Sequence, residues 1–554
     1  MNRALSLLLV MLAANSAVRA QATPVVVLGR VRTADSALPV AQAAVLQHGV
    51  VISLDRARAE AAAREPGAIV LRVPDGGIAM PGIVESHAHL LALGRARREL
   101  DLSTAPSLEA ALQLVRERAA ALPAGAPLLG RGWNQELWPE KVFPSGTALD
   151  AAAPGRLVLL SRVDGHAIWV NSAVLQQAKI SSATPSPSGG EIVLAADGTP
   201  TGVLVDNAMA LVDGIGNSTG STVRDFFEAE RSCFEQGITT FVDAGESIAR
   251  LNELSGLYAA GKAKLRVCAM IGVDNSSTLD EVLARAPAPS LYGDRVSVRM
   301  AKLYADGSLG SRGAWLLQPY SDRPGHSGFP VLEPRFLRDA LRRLITAGWQ
   351  VCVHCIGDRA VRETLDSLEA ALVGLSPAAA SAARPRIEHA QHIAAADFAR
   401  FKRLGIIPSM QPCHASSDGP WVEARLGAAR ANSGAYAWRT LLDSGCRIPC
   451  GTDAPVELLS PWRNFHAAVT RQTASGVPFT PAQCMTRAET LLGITAWGAH
   501  AVQRERTIGM LRPGMAADLI VLDRDPLRCA QAALPGVRVL HTVIAGEVVH
   551  SAQD

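Results

Sequence analysis

Short apolar runs of strand type alternate with amphipathic stretches of helical period through the middle of the chain. Helical period is clear over 223–236 and 334–347. Repeated strand–helix alternation is typical of parallel βα units, and eight such units close a TIM barrel. The pattern therefore predicts an α/β fold with a TIM (β/α)8 barrel, whose strands lie at 83–87, 237–243, 264–274, 296–306, 349–356, 386–391, 406–411 and 448–453.

Both ends of the chain depart from this alternation. Residues 23–78 and 508–550 carry short β-branched runs instead. We predict a small β-sandwich domain built from both termini (21–79 and 508–554), next to a barrel domain over 80–507. The stretch at about 102–220 is too long for a loop within a barrel unit, so it predicts an inserted domain after the first barrel strand, over the barrel mouth.

The first twenty residues have the pattern of an export signal. Arg3 supplies a positive charge, residues 4–14 are apolar, and residues 18–20 offer a cleavage site. A membrane anchor or an ordinary N-terminal helix is the alternative, but the apolar run is too short to span a bilayer comfortably. We predict a signal peptide over 1–20 and a periplasmic or secreted protein with no membrane span after its removal.

Composition and charge narrow the class of partner. The net charge is only +3 and aromatic residues make up 5% of the chain, so neither a basic field nor base-stacking stretches favour nucleic acid. A small-molecule substrate is the expected partner, and a homo-oligomer stays open. The nine cysteines lack the spacing of a disulfide framework, which favours buried free thiols.

The segment 80–89 carries the strongest local motif, with His87 and His89 two residues apart. Residues two apart on a strand point the same way, so both imidazoles would face the pocket at the carboxyl end of a barrel strand. Two imidazoles are half of a Zn-type site. An H-x-H pattern is nevertheless common and weak when it stands alone.

Three further strand ends strengthen the motif. His354, His389 and Asp453 each close an apolar run, where barrel enzymes place their catalytic groups. A core histidine with a backbone partner explains any one of them, but it explains the set poorly. His392 is a rival ligand, yet it falls on the opposite strand face or in the following loop, so we prefer His389.

Several motifs occur together in a recognisable order, at 81–89, 131–133, 164–167, 302–308, 386–390, 411–414, 451–455 and 509–519. In these motifs the chain resembles the amidohydrolase superfamily, and within it the amidohydrolase-3 branch that includes N-substituted formamide deformylases. The resemblance covers nearly all of the chain after the signal, and it is specific for the branch but not for a substrate. It implies one or two divalent transition-metal ions, expected to be Zn, and five ligands: His87, His89, Lys302, His354 and His389.

In that resemblance His87 and His89 bind one metal, while His354 and His389 bind a second or share the first. Lys302 falls on the carboxylated lysine of the family. Strand alternation supports an inward Lys302, and an ammonium group has no acceptor with which to bind a cation, whereas a carbamate has two oxygens. A Lys302 paired with Asp306 or another acid remains the alternative.

Asp453 is the predicted proton-handling residue. A divalent cation activates water near neutral pH, and a carboxylate at the rim can take its proton and pass it to the leaving nitrogen. Asp453 can also serve as a further ligand. The family usually has Asp where this chain has Glu85, and the extra methylene would shift a hydrogen bond beside the ligands rather than the ligands themselves.

The predicted substrate contacts are His166, Gln411, His414, Asp418 and Trp133, with Trp138 as a further candidate. Tryptophans of an inserted domain pack more often than they recognise a ligand. The leading hypothesis is an exported metal-dependent amidohydrolase acting on a non-peptide C–N bond of an amide, formamide, carbamate or cyclic amide. The alternatives are an ester, lactone or organophosphate hydrolase using the same site, and a non-catalytic binding protein that keeps the barrel.

Overall fold

The computed structural model describes residues 23–216 and 221–553, and the predicted signal peptide lies outside them. Seven parallel strands follow one another around the central sheet, each paired with the next in chain order: Ile83–Ala88, Ile238–Glu246, Arg266–Gly272, Val296–Tyr304, Gln350–Cys355, Arg386–His389 and Ile407–Ser409. We call them the first to seventh barrel strands. Their consecutive parallel order confirms the TIM-type barrel that the hydrophobic pattern predicted.

The predicted eighth strand, at 448–453, is an irregular segment rather than a regular strand. Cys450 forms an isolated parallel bridge with Met410, after the seventh strand, and the Asp453 N–H donates to His87 O at 2.8 Å in the first strand. Glu85 accepts from the Thr452 N–H and hydroxyl at 2.8 and 2.9 Å. The segment therefore lies between the last and first strands and nearly closes the barrel.

Helices pack around these strands. The predicted helices are present at Thr222–Glu235 and Pro334–Thr346. The first begins where the Ser221 hydroxyl accepts from the Arg224 N–H, and it buries Phe226 and Cys233 towards the barrel core. The other α-helices here are Leu90–Ala96, Ile248–Ala259, Ser276–Leu283, Asp358–Leu372, Pro377–Ala383, Phe398–Leu404, Pro412–Leu426, Ala428–Gly434, Trp438–Asp443, Pro461–Thr470, Arg487–Gly493 and Ala496–Ala501.

Three minor elements complete the barrel domain. Ala288–Leu291 is a short strand that pairs antiparallel with the fourth barrel strand. Ala395–Asp397 and Pro481–Gln483 are single 3-10 turns.

Both ends of the described chain build one β domain, as predicted, with one mixed sheet where a sandwich was expected. Its eight strands form a single mixed sheet: Val25–Arg32, Val40–Gln47, Val50–Ser53, Ile69–Arg72, Ile78–Pro81, Leu519–Leu522, Val539–Ile544 and Glu547–Ser551. Ile78–Pro81 pairs antiparallel with Leu519–Leu522 and so joins the two halves. The domain also holds the helix Arg56–Ala62 and the 3-10 helix Gln531–Gly536.

The insertion after the first barrel strand has a sheet of its own, with six strands: Leu100–Asp101, Leu128–Trp133, Val158–Arg162, Ala167–Val170, Gly190–Leu194 and Pro200–Asp206. Its helices are Leu108–Ala121, Gly146–Ala152 and Ser172–Gln177, with 3-10 helices at Gln135–Leu137 and Asn207–Val212. A buried Arg425–Glu136 pair and an Asn207 Nδ2 bond to Val331 O at 3.1 Å join it to the barrel. The insertion therefore has its own core and is fastened to the barrel by polar contacts.

Two predictions about the whole chain can be compared with the structure. All nine cysteines are free thiols, and six of them are buried. Among the described helices, none combines the length and the apolar character needed to cross a membrane.

Candidate metal centre

Four side chains from different barrel strands meet at the carboxyl end of the barrel. His87 lies near the end of the first strand, Lys302 in the fourth, His354 in the fifth and His389 in the sixth. The ring centroids of His87 and His389 are 4.8 Å apart, and those of His354 and His389 are 4.4 Å apart. All four side chains are buried. The strand ends therefore bring together the residues that the sequence placed on separate strands.

Asp453 joins this group from the irregular eighth segment. Its Oδ1 lies 3.3 Å from His89 Nε2 and 3.7 Å from His87 Nε2, and its Oδ2 lies 3.2 Å from His414 Nε2. Asp453 thus belongs to two sets of possible metal-binding residues, and within each set the donor atoms lie within 4.8 Å of one another. The first set is His87, His89 and Asp453, and the second is His389, His414 and Asp453. Both sets combine imidazole nitrogen with carboxylate oxygen, as zinc sites do.

The protonation of the imidazoles and the lack of hydrogen-bond partners, within the described chain, at two buried atoms fit a bound divalent cation. Burial, followed by the charge of Lys302, lowers the pKa of His87 to about 4. Burial likewise holds the pKa values of His354 and His389 well below the usual range, so their ring nitrogens have lone pairs to offer. Among the described residues, buried Asp453 Oδ1 and His354 Nδ1 have no hydrogen-bond partner. Buried polar atoms without partners are costly, and a bound cation would satisfy them.

Lys302 has no acid to pair with among the described residues. Its Nζ lies 3.5 Å from His87 Nε2 and 4.9 Å from the Tyr304 ring centroid. Asp306 instead accepts from three backbone N–H groups, of Trp315, Ile356 and Gly357, at 2.8, 3.0 and 2.7 Å. Burial lowers the pKa of the Lys302 ammonium, which favours the neutral amine. The alternative of a Lys302–Asp306 pair is therefore wrong.

Glu388 orients His87 and is missing from the sequence prediction. Its Oε2 lies 2.5 Å from His87 Nδ1, so the imidazole donates there and turns Nε2 to the centre. Arg386 holds the same carboxylate through two hydrogen bonds of 2.7 and 2.9 Å. Burial raises the pKa of Glu388, but Arg386 and His87 together bring it below its ordinary value. A charged Arg-x-Glu pair inside an apolar strand, directly before a candidate ligand, was the available signal.

Three predicted substrate contacts lie around the rim of the centre. Gln411 Oε1 is 2.9 Å from His389 Nδ1 and so orients that imidazole. His414 lies between Asp453 and Glu457, 3.4 Å from the Glu457 carboxylate. Asp418 accepts from the Tyr436 hydroxyl at 2.5 Å, and burial raises its pKa to about 6. Glu457 and Tyr436 are further residues that sequence reasoning missed.

Of the two remaining predicted substrate contacts, one lies at the centre and the other does not. The His166 ring, from the insertion, lies 4.9 Å from the His354 ring, at the centre. Trp133 lies elsewhere: it is fully buried in the core of the insertion, packs against Trp138, and donates its indole N–H to Leu160 O at 2.7 Å. The prediction of Trp133 as a substrate contact is therefore not supported, because its polar atom and its ring faces are used for packing.

His392 lies outside the cluster as well. Its Nε2 is 3.5 Å from Asp358 Oδ2, in the loop after the sixth strand. The preference for His389 over His392 therefore agrees with the placement of the two rings.

A barrel that carries imidazole and carboxylate donors at the carboxyl ends of its strands is the architecture of metal-dependent hydrolases. Residues 75–550 match the model of the amidohydrolase family, and the chain belongs to this family. It is 32% identical to YtcJ of Bacillus subtilis (strain 168) over 489 residues, which cover 86% of this chain and 89% of YtcJ.

Two further relatives cover almost the whole chain. One is the N-substituted formamide deformylase of Arthrobacter pascens, 27% identical over 93% of this chain and 96% of that protein. The other is the crystal structure of an uncharacterized metal-dependent hydrolase from Pyrococcus horikoshii OT3, with a TM-score of 0.73 and 26% identity, covering 92% of this chain and 99% of that one. The similarity thus includes the inserted and terminal domains as well as the barrel.

Proposed function

We propose that this protein hydrolyses a non-peptide C–N bond in a small amide, with N-substituted formamides as the first class to test. The observation that carries the proposal is the buried, unpartnered Asp453 Oδ1 beside the Nε2 atoms of His87 and His89. Support for the bond type comes from the relative of Arthrobacter pascens, which is named for deformylation of N-substituted formamides. Carbamates and cyclic amides present the same scissile bond.

The side chains of the centre have two proposed roles, metal binding and proton transfer. His87, His89, His354 and His389 would hold one or two divalent ions, for which zinc is our proposal. Such an ion supplies an activated water and polarises the scissile carbonyl. Asp453 is placed to accept a proton from the attacking water and to return it to the leaving nitrogen. The C–O bond to water forms, the C–N bond breaks, and the amine leaves with that proton.

Lys302 is proposed to be carboxylated. Its buried amine would add carbon dioxide, forming an N–C bond and releasing one proton, and the carbamate would then carry two oxygens in place of an ammonium group. This assignment gives Lys302 an acceptor role beside four histidines, which its own amine cannot fill. The test is the intact mass of protein purified and sprayed without acid, in which a carbamate adds the mass of carbon dioxide.

Export is the second part of the proposal. It rests on Arg3, the apolar run 4–14 and the small residues at 18–20. Expression of the full chain in a Gram-negative host, with cell fractionation and N-terminal sequencing, tests it. A periplasmic product that begins near Gln21 is expected, and an uncleaved cytosolic product would contradict it.

A substrate panel tests the bond type. Purified protein is supplied with N-formyl amines, N-acyl amines, hydantoins and aryl esters, and release of amine or alcohol is followed. We expect turnover of at least one amide class, and about 10²- to 10⁴-fold slower turnover by Asp453→Asn from a parallel preparation. Turnover of esters alone would favour the ester and lactone alternative, which shares the same centre. No turnover of any compound by metal-loaded protein would favour a binding protein.

A further inference from the structure

An aspartate and a histidine of the inserted domain form a pair beside the candidate metal centre. His166 directly precedes the strand Ala167–Val170, and Asp206 ends the antiparallel neighbour Pro200–Asp206. The Asp206 N–H donates to His166 O at 3.0 Å, and His166 Nδ1 lies 2.7 Å from Asp206 Oδ1. The two residues are therefore joined through both backbone and side chain.

The barrel holds the Asp206 carboxylate from the other side. Its Oδ2 packs so closely against Gly307 and Gly313 that a Cβ on either glycine would clash with it. This Oδ2 is buried and, within the described chain, has no hydrogen-bond partner. The backbone of Asp206 also has a φ of 48°, a value that residues other than glycine rarely adopt. An unusual backbone kept in place by its surroundings is a reason to look for a functional role.

The histidine is the member of the pair that faces the centre. Its ring lies 4.9 Å from the His354 ring and 6.5 Å from the Tyr304 ring. A carboxylate has only acceptors, so the proton of this contact sits on His166 Nδ1 and the open nitrogen is Nε2. The His166 side chain is 17% exposed whereas that of Asp206 is 2% exposed. His166 Nε2, on the side of the ring away from Asp206, is thus available to a ligand.

We propose that Asp206 is a positioning residue, which fixes the ring and tautomer of His166 so that Nε2 meets a polar atom of the bound substrate. The inserted domain would then supply part of the active site rather than a cover for it. The competing explanation is that Asp206 only fastens the insertion to the barrel, through its packing against Gly307 and Gly313. The kinetic test of this proposal rests on the proposed function, whereas the structural test below does not.

A double-mutant cycle separates the two explanations. kcat and KM are measured for wild type, Asp206→Ala, His166→Ala and the double variant, on an N-formyl amine that the wild type hydrolyses. We expect each single change to lower kcat/KM by about 10- to 100-fold, and the double variant to be no worse than His166→Ala alone. Multiplying losses would overturn the proposal, because a fastening role does not depend on the His166 ring.

Two further variants guard against misfolding. Asp206→Asn keeps the shape and one oxygen that can accept the His166 Nδ1–H, so it should recover most of the activity that Asp206→Ala loses. Asp213→Asn changes an exposed aspartate of the same domain and should behave as wild type. Melting temperature and metal content are compared across the set. Asp206→Asn as damaged as Asp206→Ala, with both folded, would also overturn the proposal.

Crystal structures give a result that needs no substrate. In Asp206→Asn the His166 ring should keep its place near His354, whereas in Asp206→Ala, or in Asp206→Gly if the alanine variant does not fold at this positive φ, it should rotate or split into two positions. An unmoved ring in the variant that lacks the acceptor would contradict the positioning role. If the substrate panel gives no turnover, the proposed C–N hydrolysis fails while this structural result still decides the role of Asp206.

Discussion

The residues around Asp453 keep its carboxylate ionised and fix its position. Burial raises the pKa of Asp453, but the hydrogen bond from His414 and the close imidazoles of His89 and His87 bring it well below the usual range. The side chain is therefore an ionised acceptor. Its backbone is fixed too, because the Asp453 N–H donates to His87 O at 2.8 Å. An ionised, immobile carboxylate beside an activated water is what general base catalysis requires.

Replacing this carboxylate should separate chemistry from binding of the ion. Asp453→Asn keeps the size of the side chain but removes the base, so we expect kcat to fall by about 10²- to 10⁴-fold while bound metal is retained. Turnover is measured together with metal content. Asp280→Asn, at a side chain 66% exposed, serves as the control and should behave as wild type. Wild-type kcat in Asp453→Asn would refute its role in proton transfer.

At the scale of an element, the turn after the fourth barrel strand determines how the insertion meets the barrel. Asp306 anchors this turn through backbone N–H groups of neighbouring loops, and Gly307 leaves room for the Asp206 carboxylate. Because no side chain larger than hydrogen fits there, the turn and the insertion are matched in shape. The site is thus built from two domains at this turn.

A pair of glycine substitutions tests this match. Gly307→Ala should displace Asp206 and lower kcat/KM by about tenfold or more, as loss of a supporting contact does. Gly256→Ala, in the helix Ile248–Ala259 with open space around it, should instead raise the free energy of unfolding by about 0.5–1 kcal/mol and leave activity unchanged. A folded Gly307→Ala with wild-type kcat/KM would contradict the account of this turn.

Strand ends were the most predictable part of the site. His87, His354 and His389 close apolar runs, and a polar residue at such a position points to the pocket of any parallel barrel. Glu388 escaped prediction because a charged pair within a strand has the same appearance whether it orients a ligand or only fills the core. Asp206 escaped because it meets His166 only through the pairing of two strands in the insertion.

In the whole molecule, the barrel and the terminal sheet share one apolar core, and buried polar contacts add further links between the three sheets. The alternation of strands and helices predicted the barrel, and β-branched runs predicted the terminal domain. The regular eighth strand was wrong: the segment 448–453 forms only an isolated bridge from Cys450 to Met410, and Pro449 within it has no N–H to donate to a neighbouring strand. Arg266 of the third barrel strand binds Asp518, beside the terminal sheet, with hydrogen bonds of 2.6 and 3.1 Å. Such distant pairings leave no local pattern in the sequence.

This contact should be important for stability. Both partners are buried, so Arg266→Met leaves the Asp518 charge without its guanidinium partner, held among the described residues only by the Ala545 N–H, and should lower the free energy of unfolding by about 3–5 kcal/mol. Urea unfolding at neutral pH measures the loss. The double variant Arg266→Met with Asp518→Asn should recover part of it, because the orphaned charge is gone. A single variant as stable as wild type would show that the two domains do not depend on this pair.

We propose that His87, His89, His354, His389 and Asp453 form a metal centre that hydrolysis requires. Metal content and turnover are measured on the same preparation as purified, after chelation, and after Zn²⁺ is added back. We expect about one to two transition-metal ions per chain, loss of turnover when they are removed, and return of turnover when Zn²⁺ is added. Full turnover by protein shown to be free of metal would contradict this proposal.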